Sequence, residues 1–532
     1  MTRTTRTTRN RWLSGGGSVL VAAALLAVAA APAQAGPVPR GTTQVSLGPN
    51  GAAPDNQSTA QGISANGRYA LFTSRATNLL PQPSAGWSNA YVKDLRTGRL
   101  EQVNLSDAGG ALSGSTDQAG ISADGRYVVF ESEDENVAPG AQVKNRTEVY
   151  IRDRRTGRTE LVSSSPTNTD TDQYHSSYNA QVSGNGRYVV YVSSRTDLDP
   201  TVVDPEPEPT PEPSLARPYT WKINVYLTDR WTHTTRLVSH DVNGKPGEST
   251  SFRPTISADG RTIGFGSISS LLPDEQAPGL AAATAAAAAT ASAPASSDAS
   301  ADVELTPSAA EAARRSIPQS AAQPSLARPT AAPYYTYDVR SRTLTPVSAG
   351  LDGTIGSSSF EATISPDGRR AIYTLSEPGG STGGHRYHTV LHVRDLRTGT
   401  VTKVSGGLPG TSSVGSSDHG SISADNRWIY FESAADNLVA GPQHPGWDVY
   451  RQDLRTGRTE RVAAAPDGSL GNGSSTQPFV SASGNTVVFD STSGNLVTGG
   501  TGPAVENGQV FAKPAGFHRS GAGDDQGENE DD

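Results

Sequence analysis

The sequence predicts an all-β fold, a seven-bladed β-propeller of four-stranded antiparallel blades. Three observations indicate this fold: a turn motif recurs seven times, the strands of each repeat become less apolar along the chain, and the two chain ends complement each other. The motif is an Asp-Gly or Asn-Gly pair, or a close substitute, between two apolar runs, which is a strong hairpin signal. A serine leads each copy: Ser64, Ser122, Ser183, Ser257, Ser365, Ser423 and Ser481.

The spacing of these serines gives the length of one blade. Successive serines are 58, 61, 74, 108, 58 and 58 residues apart. The two longest intervals contain insertions, and the other four match a four-stranded blade with short connections. The seven copies therefore account for residues 36–516 as one ring.

The repeat at residues 121–163 shows how burial changes from strand to strand. Tyr127–Phe130 is apolar on both pleat faces, which predicts a strand that is covered on both sides. Val149–Ile151 is also apolar, whereas Thr159–Val162 includes a charge, as an outer and half-exposed strand does. Burial is expected to fall from the inner strands to the outermost one, as in a propeller blade.

The two ends of the chain together supply the last blade. The seventh copy, residues 479–516, provides only three strands. An outer strand is available at residues 42–47. We expect this segment to pair with Gln509–Lys513 and to close the ring, which removes the exposed edges of an open sheet.

Residues 1–35 have the composition of a secretory signal peptide. Four arginines precede an apolar run, which ends at the small-residue site Ala33-Gln34-Ala35. Without those arginines, 40 basic residues face 53 acidic ones, a net charge of −13 that argues against nucleic acid and anionic membrane surfaces as partners. The chain has no cysteine, so an exported form has no disulfide bonds. We expect a secreted or envelope-associated protein without a transmembrane anchor.

Three segments are expected to be disordered. Residues 200–218 are rich in Pro and Glu, residues 273–333 in Ala, Ser, Thr and Pro, and residues 517–532 form an acidic tail. In a blade, the loops from the second to the third strand and from the fourth strand to the next blade emerge on one face, here called the long-loop face. Both inserts belong to it, which makes it the expected binding surface; the opposite, tight-turn face carries the two short turns.

Six blades are each expected to contain one structural ion pair near a tight turn. In antiparallel strands, the start of the second strand lies beside the end of the third, which brings an arginine close to an aspartate. The seventh blade has Asn485 and Pro514 at these positions. The predicted pairs are Arg68–Asp94, Arg126–Asp153, Arg187–Asp229, Arg261–Asp338, Arg369–Asp395 and Arg427–Asp453.

Ligand-binding candidates lie on the long-loop face. A hydroxyl side chain stands six positions before each turn serine, where it either contacts a ligand or caps a backbone group at the channel mouth. Aromatic rings on the same face suit sugar or peptide ligands, although Trp87 and Trp447 stand at nearly the same repeat position, which favours packing. The binding candidates are Trp87, Asp117, Tyr174, His175, Tyr178, Asp418, His419 and Trp447.

No metal, cofactor or catalytic residue is expected. A histidine group has one member on the wrong strand face, a calcium-like run lacks the later Gly and Glu, and a G-x-S-x-G match has no helix after it. These patterns are His385, His388 and His392; Asn168, Asp170 and Asp172; and residues 379–383.

The repeat motif resembles a known family. Residues 364–369, Ile-Ser-Pro-Asp-Gly-Arg, and residues 393–399, Val-Arg-Asp-Leu-Arg-Thr-Gly, are similar to the WD40-like repeat called PD40 of TolB-like propellers. The resemblance covers nearly all of residues 42–515. It implies the propeller alone, because residues 36–42 leave no room for the amino-terminal α/β domain of TolB. Similar propellers gate peptidases of the prolyl oligopeptidase class, whose catalytic domain has no counterpart here.

The expected function is that of a secreted binding or scaffold protein, which recognises a protein, a peptide or a cell-wall glycan on the long-loop face. The alternative is an extracellular polymer-degrading enzyme, a hydrolase or lyase with an acidic site at the channel mouth. Two carboxylates within roughly 5 to 9.5 Å would favour glycosidic chemistry. A third possibility is a passive envelope component whose inserts are spacers.

Overall fold

The computed structural model describes residues 41–514 with some gaps. The predicted signal peptide, the acidic tail, most of both inserts, residues 379–383 and His385 lie outside the described residues and stay predictions. The gaps are residues 83, 85, 141–142, 173, 203–221, 274–331, 357, 359–361, 379–386, 409–410, 412–414, 444 and 499–506.

The described residues form seven antiparallel sheets of four strands each, and each sheet is one blade. The all-β, seven-bladed propeller is therefore confirmed. Blades 1 to 3 comprise β2 (Ser58–Ile63), β3 (Tyr69–Ser74), β4 (Asn89–Asp94) and β5 (Leu100–Gln102); β6 (Ala119–Ile121), β7 (Tyr127–Ser132), β8 (Glu148–Asp153) and β9 (Arg158–Leu161); and β10 (Ser177–Val182), β11 (Tyr188–Ser193), β12 (Asn224–Asp229) and β13 (Thr234–Leu237).

The remaining blades repeat the same strand order. Blades 4 to 6 comprise β14 (Ser251–Ile256), β15 (Thr262–Ser267), β16 (Tyr334–Asp338) and β17 (Thr343–Pro346); β18 (Thr363–Ile364), β19 (Arg370–Pro378), β20 (Tyr387–Asp395) and β21 (Val401–Lys403); and β22 (Ser417–Ile422), β23 (Trp428–Ser433), β24 (Asp448–Asp453) and β25 (Thr459–Arg461). Blade 7 comprises β26 (Ser475–Val480), β27 (Thr486–Ser491), β28 (Gln509–Pro514) and β1 (Thr43–Gln44). The described helical structure is one 3-10 turn, Pro49–Gly51, and no described helix has the length and apolarity needed to cross a membrane.

The ring closes by the predicted pairing of the two chain ends. In β1, Thr43 pairs with Ala512 of β28 and Gln44 with Phe511, and the Val45 N–H donates to the Val510 carbonyl at 2.7 Å. The paired strand is shorter than the predicted 42–47. Val45 is fully buried in an apolar cluster that joins blade 7 to blade 1. Closure therefore rests on side-chain burial as well as on a short strand ladder.

The turns that lead each second strand are longer than the predicted two-residue turn. In blade 2 the Ser122 N–H donates to the Tyr127 carbonyl at 2.9 Å, so four residues form the loop. Ser122 Oγ donates to Asp124 Oδ1 at 2.6 Å and accepts the Tyr127 N–H at 2.9 Å. Only the residue after the aspartate, Gly125, has a positive φ, of 72°. Serine and aspartate therefore stabilise the turn together, which explains why both recur.

At four of the seven junctions between blades, an aromatic ring lies against a glycine of the next blade on the tight-turn face. The ring of Tyr69, at the start of β3, lies against Gly125 of blade 2, where a Cβ would come within 2.3 Å of it. Arg68 and Arg154 cover the ring, with guanidinium carbons 4.8 and 4.5 Å from its centroid. The glycine is thus required both by its φ and by the close ring. Tyr127, Tyr188 and Trp428 occupy the same position in blades 2, 3 and 6.

Four of the six predicted ion pairs are present, with N–O distances of 2.5 to 2.8 Å: Arg68–Asp94, Arg126–Asp153, Arg187–Asp229 and Arg427–Asp453. In each, the arginine also stacks on the aromatic ring of the next residue, which orients the guanidinium.

The predicted pairs Arg261–Asp338 and Arg369–Asp395 do not form among the described residues. Arg261 lies 3.7 Å from Asp259 and Arg369 lies 3.9 Å from Asp367, with both side chains largely exposed. The next residue is Thr262 in one blade and Arg370 in the other, so no ring holds the guanidinium over the sheet. The carboxylates of Asp338 and Asp395 accept backbone N–H groups of their own turns.

Candidate functional site

The hydroxyl side chains at the channel mouth are engaged in structural hydrogen bonds. Ser58 Oγ donates to Ser74 Oγ of the neighbouring strand at 2.9 Å, and Ser74 Oγ donates in turn to the Gln57 carbonyl at 3.0 Å. The same serine pair occurs in blades 3, 4, 6 and 7, while Thr116 Oγ1 donates to a β7 carbonyl. These hydroxyls join the first two strands of a blade, as the capping interpretation predicts.

Just inside the mouth, the innermost strand of five blades contains a β-bulge among the described residues, and the bulges of blades 3, 4, 6 and 7 share one geometry. In these four blades, the bulge residue adopts a left-handed conformation with φ between 46° and 56°. The bulge residues are Asn179, Arg253, His419 and Gln477.

Carboxylates of the preceding blade accept backbone N–H groups at two of these bulges and at Ala60 in the first strand of blade 1. Glu131 Oε2 accepts the Asn179 N–H at 3.1 Å, and Glu432 Oε2 accepts the Gln477 N–H at 2.7 Å. At the junction of blades 7 and 1, Asp490 Oδ1 accepts the N–H of Ala60 at 2.5 Å. Acidic side chains near the mouth therefore have structural roles between blades.

The predicted binding residues at the mouth differ in exposure. Asp117 is exposed, and its carbonyl accepts Gln61 Nε2 at 3.2 Å. Asp418 and His419 are half-buried, and His419 Nδ1 lies 2.9 Å from Glu432 Oε1. Tyr178 packs against the apolar core shared by blades 3 and 4.

The two tryptophans are offset by one residue in the repeat, because Trp87 lies two residues before β4 and Trp447 one residue before β24. Trp87 is 51% exposed, whereas Trp447 is half-buried. The Trp447 carbonyl accepts the Ser475 N–H of the next blade at 2.7 Å, so this residue contributes to the contact between blades. Trp87 thus presents the larger accessible surface for a ligand.

A buried charge cluster lies beneath the loop that carries Tyr174 and His175. Its centre is Glu148, the first residue of β8, whose side chain is 1% exposed. Arg146 Nε donates to Glu148 Oε1 at 2.7 Å, and Arg195 Nη1 donates to the same oxygen at 3.1 Å. Ser163 Oγ donates to the other oxygen, and Arg195 also pairs with Asp197 at 3.0 Å. The positive charges of two arginines are thus balanced by two carboxylates in a cluster that is buried from water.

The cluster fixes the loop above it. Arg146 Nη1 donates to the Asp170 carbonyl at 2.7 Å, and Asp197 Oδ2 accepts the Asp170 N–H at 3.1 Å. His175 Nδ1 lies 2.8 Å from Asp170 Oδ2, and this hydrogen bond raises the pKa of His175. Tyr174, next to it, is 51% exposed. The loop therefore has a defined conformation with one aromatic ring in solvent.

The sequence analysis did not identify the four members of this cluster. Glu148 occupies a position where blades 1 and 3 have Asn89 and Asn224, so the charge at the start of a buried strand was an available signal. Arg195 follows the end of β11, where blade 1 has Ala76. Comparison of the copies position by position would have revealed both departures.

Blade 6 has a carboxylate at the same position with fewer partners. Asp448, the first residue of β24, is 1% exposed and lies 3.1 Å from Arg461 Nε. Among the described residues, Asp448 Oδ1 has no hydrogen-bond partner. Burial raises the pKa of Asp448 to about 7, although the Arg461 charge opposes this shift.

The metal-like patterns are occupied by protein contacts. Asp170 binds His175 and the cluster described above, and His392 stacks on Tyr373 with its Nδ1 2.9 Å from the Val390 carbonyl. His388 is buried opposite Glu377 in the β19–β20 pair. Within the described ranges, no group of three or more potential ligands has the geometry for a metal ion.

No protein-family model matches this sequence, and a search of curated proteins finds no match. Solved structures do show a likeness. TolB from Acinetobacter baumannii is 14% identical over 85% of this chain and 81% of that one, with a TM-score of 0.31. A putative TolB from Agrobacterium tumefaciens is 12% identical over 76% and 80%, with a TM-score of 0.31.

A peptidase shows a similar degree of likeness. The Pyrococcus horikoshii acylaminoacyl peptidase is 11% identical over 82% of this chain, with a TM-score of 0.41, and the match spans 49% of the peptidase. At these identities, the likeness concerns the fold alone, and no function is taken from it.

Proposed function

We propose that this protein is a binding module that recognises a protein, a peptide or a glycan through the long-loop face, without chemistry of its own. The observation that carries the proposal is Tyr174, a half-exposed ring on a loop held by the buried cluster around Glu148. Trp87 is a second exposed ring on the same face. Such rings bury a large area at low cost in side-chain entropy.

The rigidity of the loop supports a binding role. Ordering a flexible loop on association costs free energy, and a loop that is already fixed avoids that cost. Here Arg146 and Asp197 are buried beneath the loop and bind the backbone of Asp170. Their hydrogen bonds hold its backbone before any ligand arrives.

The enzyme alternative has less support. Near the mouth, the carboxylates of Glu131, Glu432 and Asp490 accept backbone N–H groups of neighbouring blades, which leaves them poorly suited to act as acids or bases. Asp117 and Asp418 are the acidic residues among the predicted binding candidates. We place the protein outside the cytoplasm, in the envelope or secreted, on the signal-like composition of residues 1–35.

The test compares the two faces with matched variants. The purified protein is immobilised, and envelope protein and glycan fractions of the source cells are passed over it. We expect the double variant Trp87→Ala/Tyr174→Ala to lose the bound material. Trp231→Ala is the control, because Trp231 is 66% exposed but lies on the tight-turn face, between β12 and β13. Equal retention by the double variant and the parent would refute the proposal.

A further inference from the structure

The junction between blades 5 and 6 differs from the other junctions on the tight-turn face. Elsewhere, the residue that starts the second strand of one blade packs against a glycine of the next blade. That residue is Tyr69, Tyr127, Tyr188, Thr262, Trp428 or Thr486, and the facing glycines are Gly125, Gly186, Gly260, Gly368, Gly484 and Gly67, respectively. At the junction of blades 5 and 6, Arg370 takes the first position and Asn426 the second.

The presence of Arg370 and the presence of Asn426 at this junction are physically linked. A Cβ on Gly125, Gly186 or Gly260 would lie 2.1 to 2.3 Å from the ring of the preceding blade, so a ring excludes any side chain at that position. With Arg370 in place of the ring, the facing residue is free to carry a side chain. Asn426 keeps the positive φ of the turn, 57°, which Asn tolerates better than most residues.

An open cleft lies at this junction. Two adjoining cavities of about 230 Å³ and about 420 Å³ share Arg370 and Asp395 in their linings. Besides these two residues, the larger cavity is lined by Arg369, Arg397, Asp425 and Asn426. We call this space the arginine cleft.

Among the described residues, the three arginines of the arginine cleft make no ion pair shorter than 3.9 Å. Asp395 accepts the N–H groups of Arg397 and Thr398 at 3.0 and 2.9 Å, and these backbone hydrogen bonds help hold its pKa below its usual range. Asp425 accepts Ser423 Oγ at 2.5 Å and a backbone N–H. Arg369 is 79% exposed, with a carboxylate no nearer than 3.9 Å among the described contacts. The guanidinium groups can therefore engage an external carboxylate.

One acceptor of the cleft also lacks a partner. Asn426 Nδ2 donates to Asp367 Oδ2 at 2.5 Å, which fixes the orientation of the amide. The amide oxygen, Asn426 Oδ1, is buried and has no hydrogen-bond donor among the described residues. A buried acceptor without a donor costs free energy, which an incoming N–H group would recover.

We propose that the arginine cleft binds a peptide segment of a partner protein, in which an aromatic side chain is flanked by an acidic one. The aromatic ring takes the place that Tyr69, Tyr127 and Trp428 fill at other junctions, where two guanidinium carbons lie within 5.0 Å of each ring centroid. The acidic side chain binds Arg369 or Arg397, and a peptide N–H donates to Asn426 Oδ1. This site lies on the face opposite to the proposed binding surface and does not depend on it.

The test uses a fluorescein-labelled peptide, Gly-Asp-Tyr-Glu-Gly, titrated with the purified protein and followed by fluorescence anisotropy. A second peptide has Ala in place of Tyr. We expect saturable binding of the first and at least about tenfold weaker binding of the second, because the second lacks the ring. Equal affinity of the two peptides would contradict the proposed ring position.

Two variants distinguish loss of the peptide-binding site from loss of the folded structure. Arg370→Tyr combined with Asn426→Gly rebuilds the ring and glycine of the other junctions. It is expected to abolish peptide binding while the urea midpoint of unfolding stays equal or rises. Arg340→Gln is the control, because Arg340 is exposed and holds in blade 4 the position that Arg397 holds in blade 5; binding should not change.

Two outcomes would overturn the proposal. One is undiminished peptide binding by the rebuilt double variant. The other is displacement of the peptide by an oligogalacturonide or by inorganic phosphate at a lower concentration than by the unlabelled peptide, which would make the cleft a site for sugar acids or simple anions. Neither outcome bears on the long-loop face, whose variants are tested separately.

Discussion

Glu148 in blade 2 and Asp448 in blade 6 occupy the same position, the first residue of the third strand, and both side chains are almost completely buried. Glu148 binds two arginines and the hydroxyl of Ser163, and its neighbours fix the loop above. Among the described residues, the one ion-pair partner of Asp448 is Arg461, and the residue equivalent to Ser163 is Ala463.

The difference shows that the number of hydrogen-bond and ion-pair partners decides whether a buried carboxylate has a structural role or titrates near neutral pH. Burial raises the pKa of both groups. For Glu148, the charges of Arg195 and Arg146 oppose the effect, and both oxygens are hydrogen-bonded. For Asp448, one oxygen has no hydrogen-bond partner among the residues that the structure describes, and burial raises the pKa to about 7. The first is a structural anchor, and the second is a group that titrates near neutral pH.

The largest effect is expected from breaking the complete cluster. Glu148→Gln leaves the buried Arg146 without a carboxylate and Arg195 with Asp197 as its remaining one, and we expect it to lower the free energy of unfolding by about 3 to 5 kcal/mol. Urea unfolding followed by tryptophan fluorescence measures this. Glu160→Gln is the control, because Glu160 pairs with Arg230 at the surface and should cost at most about 1 kcal/mol. Equal costs would mean that Glu148 is not the centre of the cluster.

A second prediction concerns the incomplete site and pH. The folded pKa of Asp448, about 7, lies above its ordinary value of 3.8, so the folded protein holds the proton more tightly than the unfolded chain. The stabilisation from this proton is complete below about pH 4 and is lost as the pH rises through 7. Between pH 4.5 and pH 8, the parent should lose up to about 3 kcal/mol more than Asp448→Asn. If the free energies of unfolding of the two proteins change equally with pH, Asp448 does not titrate in this range.

Adding a hydroxyl beside Asp448 and removing the one beside Glu148 should make the hydrogen bonding of the two sites more alike. Ala463→Ser offers Asp448 a donor, which should lower its pKa and stabilise the protein at pH 8 by about 1 kcal/mol. Ser163→Ala removes the corresponding donor from Glu148 and should destabilise the protein by about 1 to 2 kcal/mol. Urea midpoints of the two variants provide the measurement. A stabilised Ser163→Ala protein would contradict the role given to this hydroxyl.

The smallest effects are expected at the exposed arginines of the turns. Arg68→Ala removes an ion pair and a ring contact at the surface and should cost about 1 kcal/mol. Arg261→Ala, at the equivalent position without a ring, should change the free energy of unfolding by less than about 0.5 kcal/mol. Thermal unfolding of both variants tests the difference, and a similar loss in each would show that the stacked ring adds nothing.

Local patterns were sufficient to predict the fold. The repeated Ser-x-Asp-Gly turn and the apolar strand after it depend on neighbouring residues, and residues 42–47 were identified because the last repeat lacked one strand. The ion pairs were predicted from strand register alone, and this failed at Arg261 and Arg369 because the ring of the following residue also matters.

The candidate site was predicted less completely, for a physical reason. Glu148, Arg195 and Asp197 come from different blades or loops, and their contacts depend on packing between blades that no local pattern reports. Trp87 and Tyr174 were found because exposed aromatic residues stand out in polar loops. Asn426 could have been found, since it interrupts a run of glycines at one repeat position.

The closing strand also constrains when the protein can finish folding. Thr43 and its partner Ala512 are 469 residues apart in sequence, so β1 emerges from the ribosome first and pairs last. Six blades can form in order of synthesis, but the seventh waits for the end of the chain. Until then β1 has no partner strand, and β28 presents an open edge from its synthesis until β1 pairs with it.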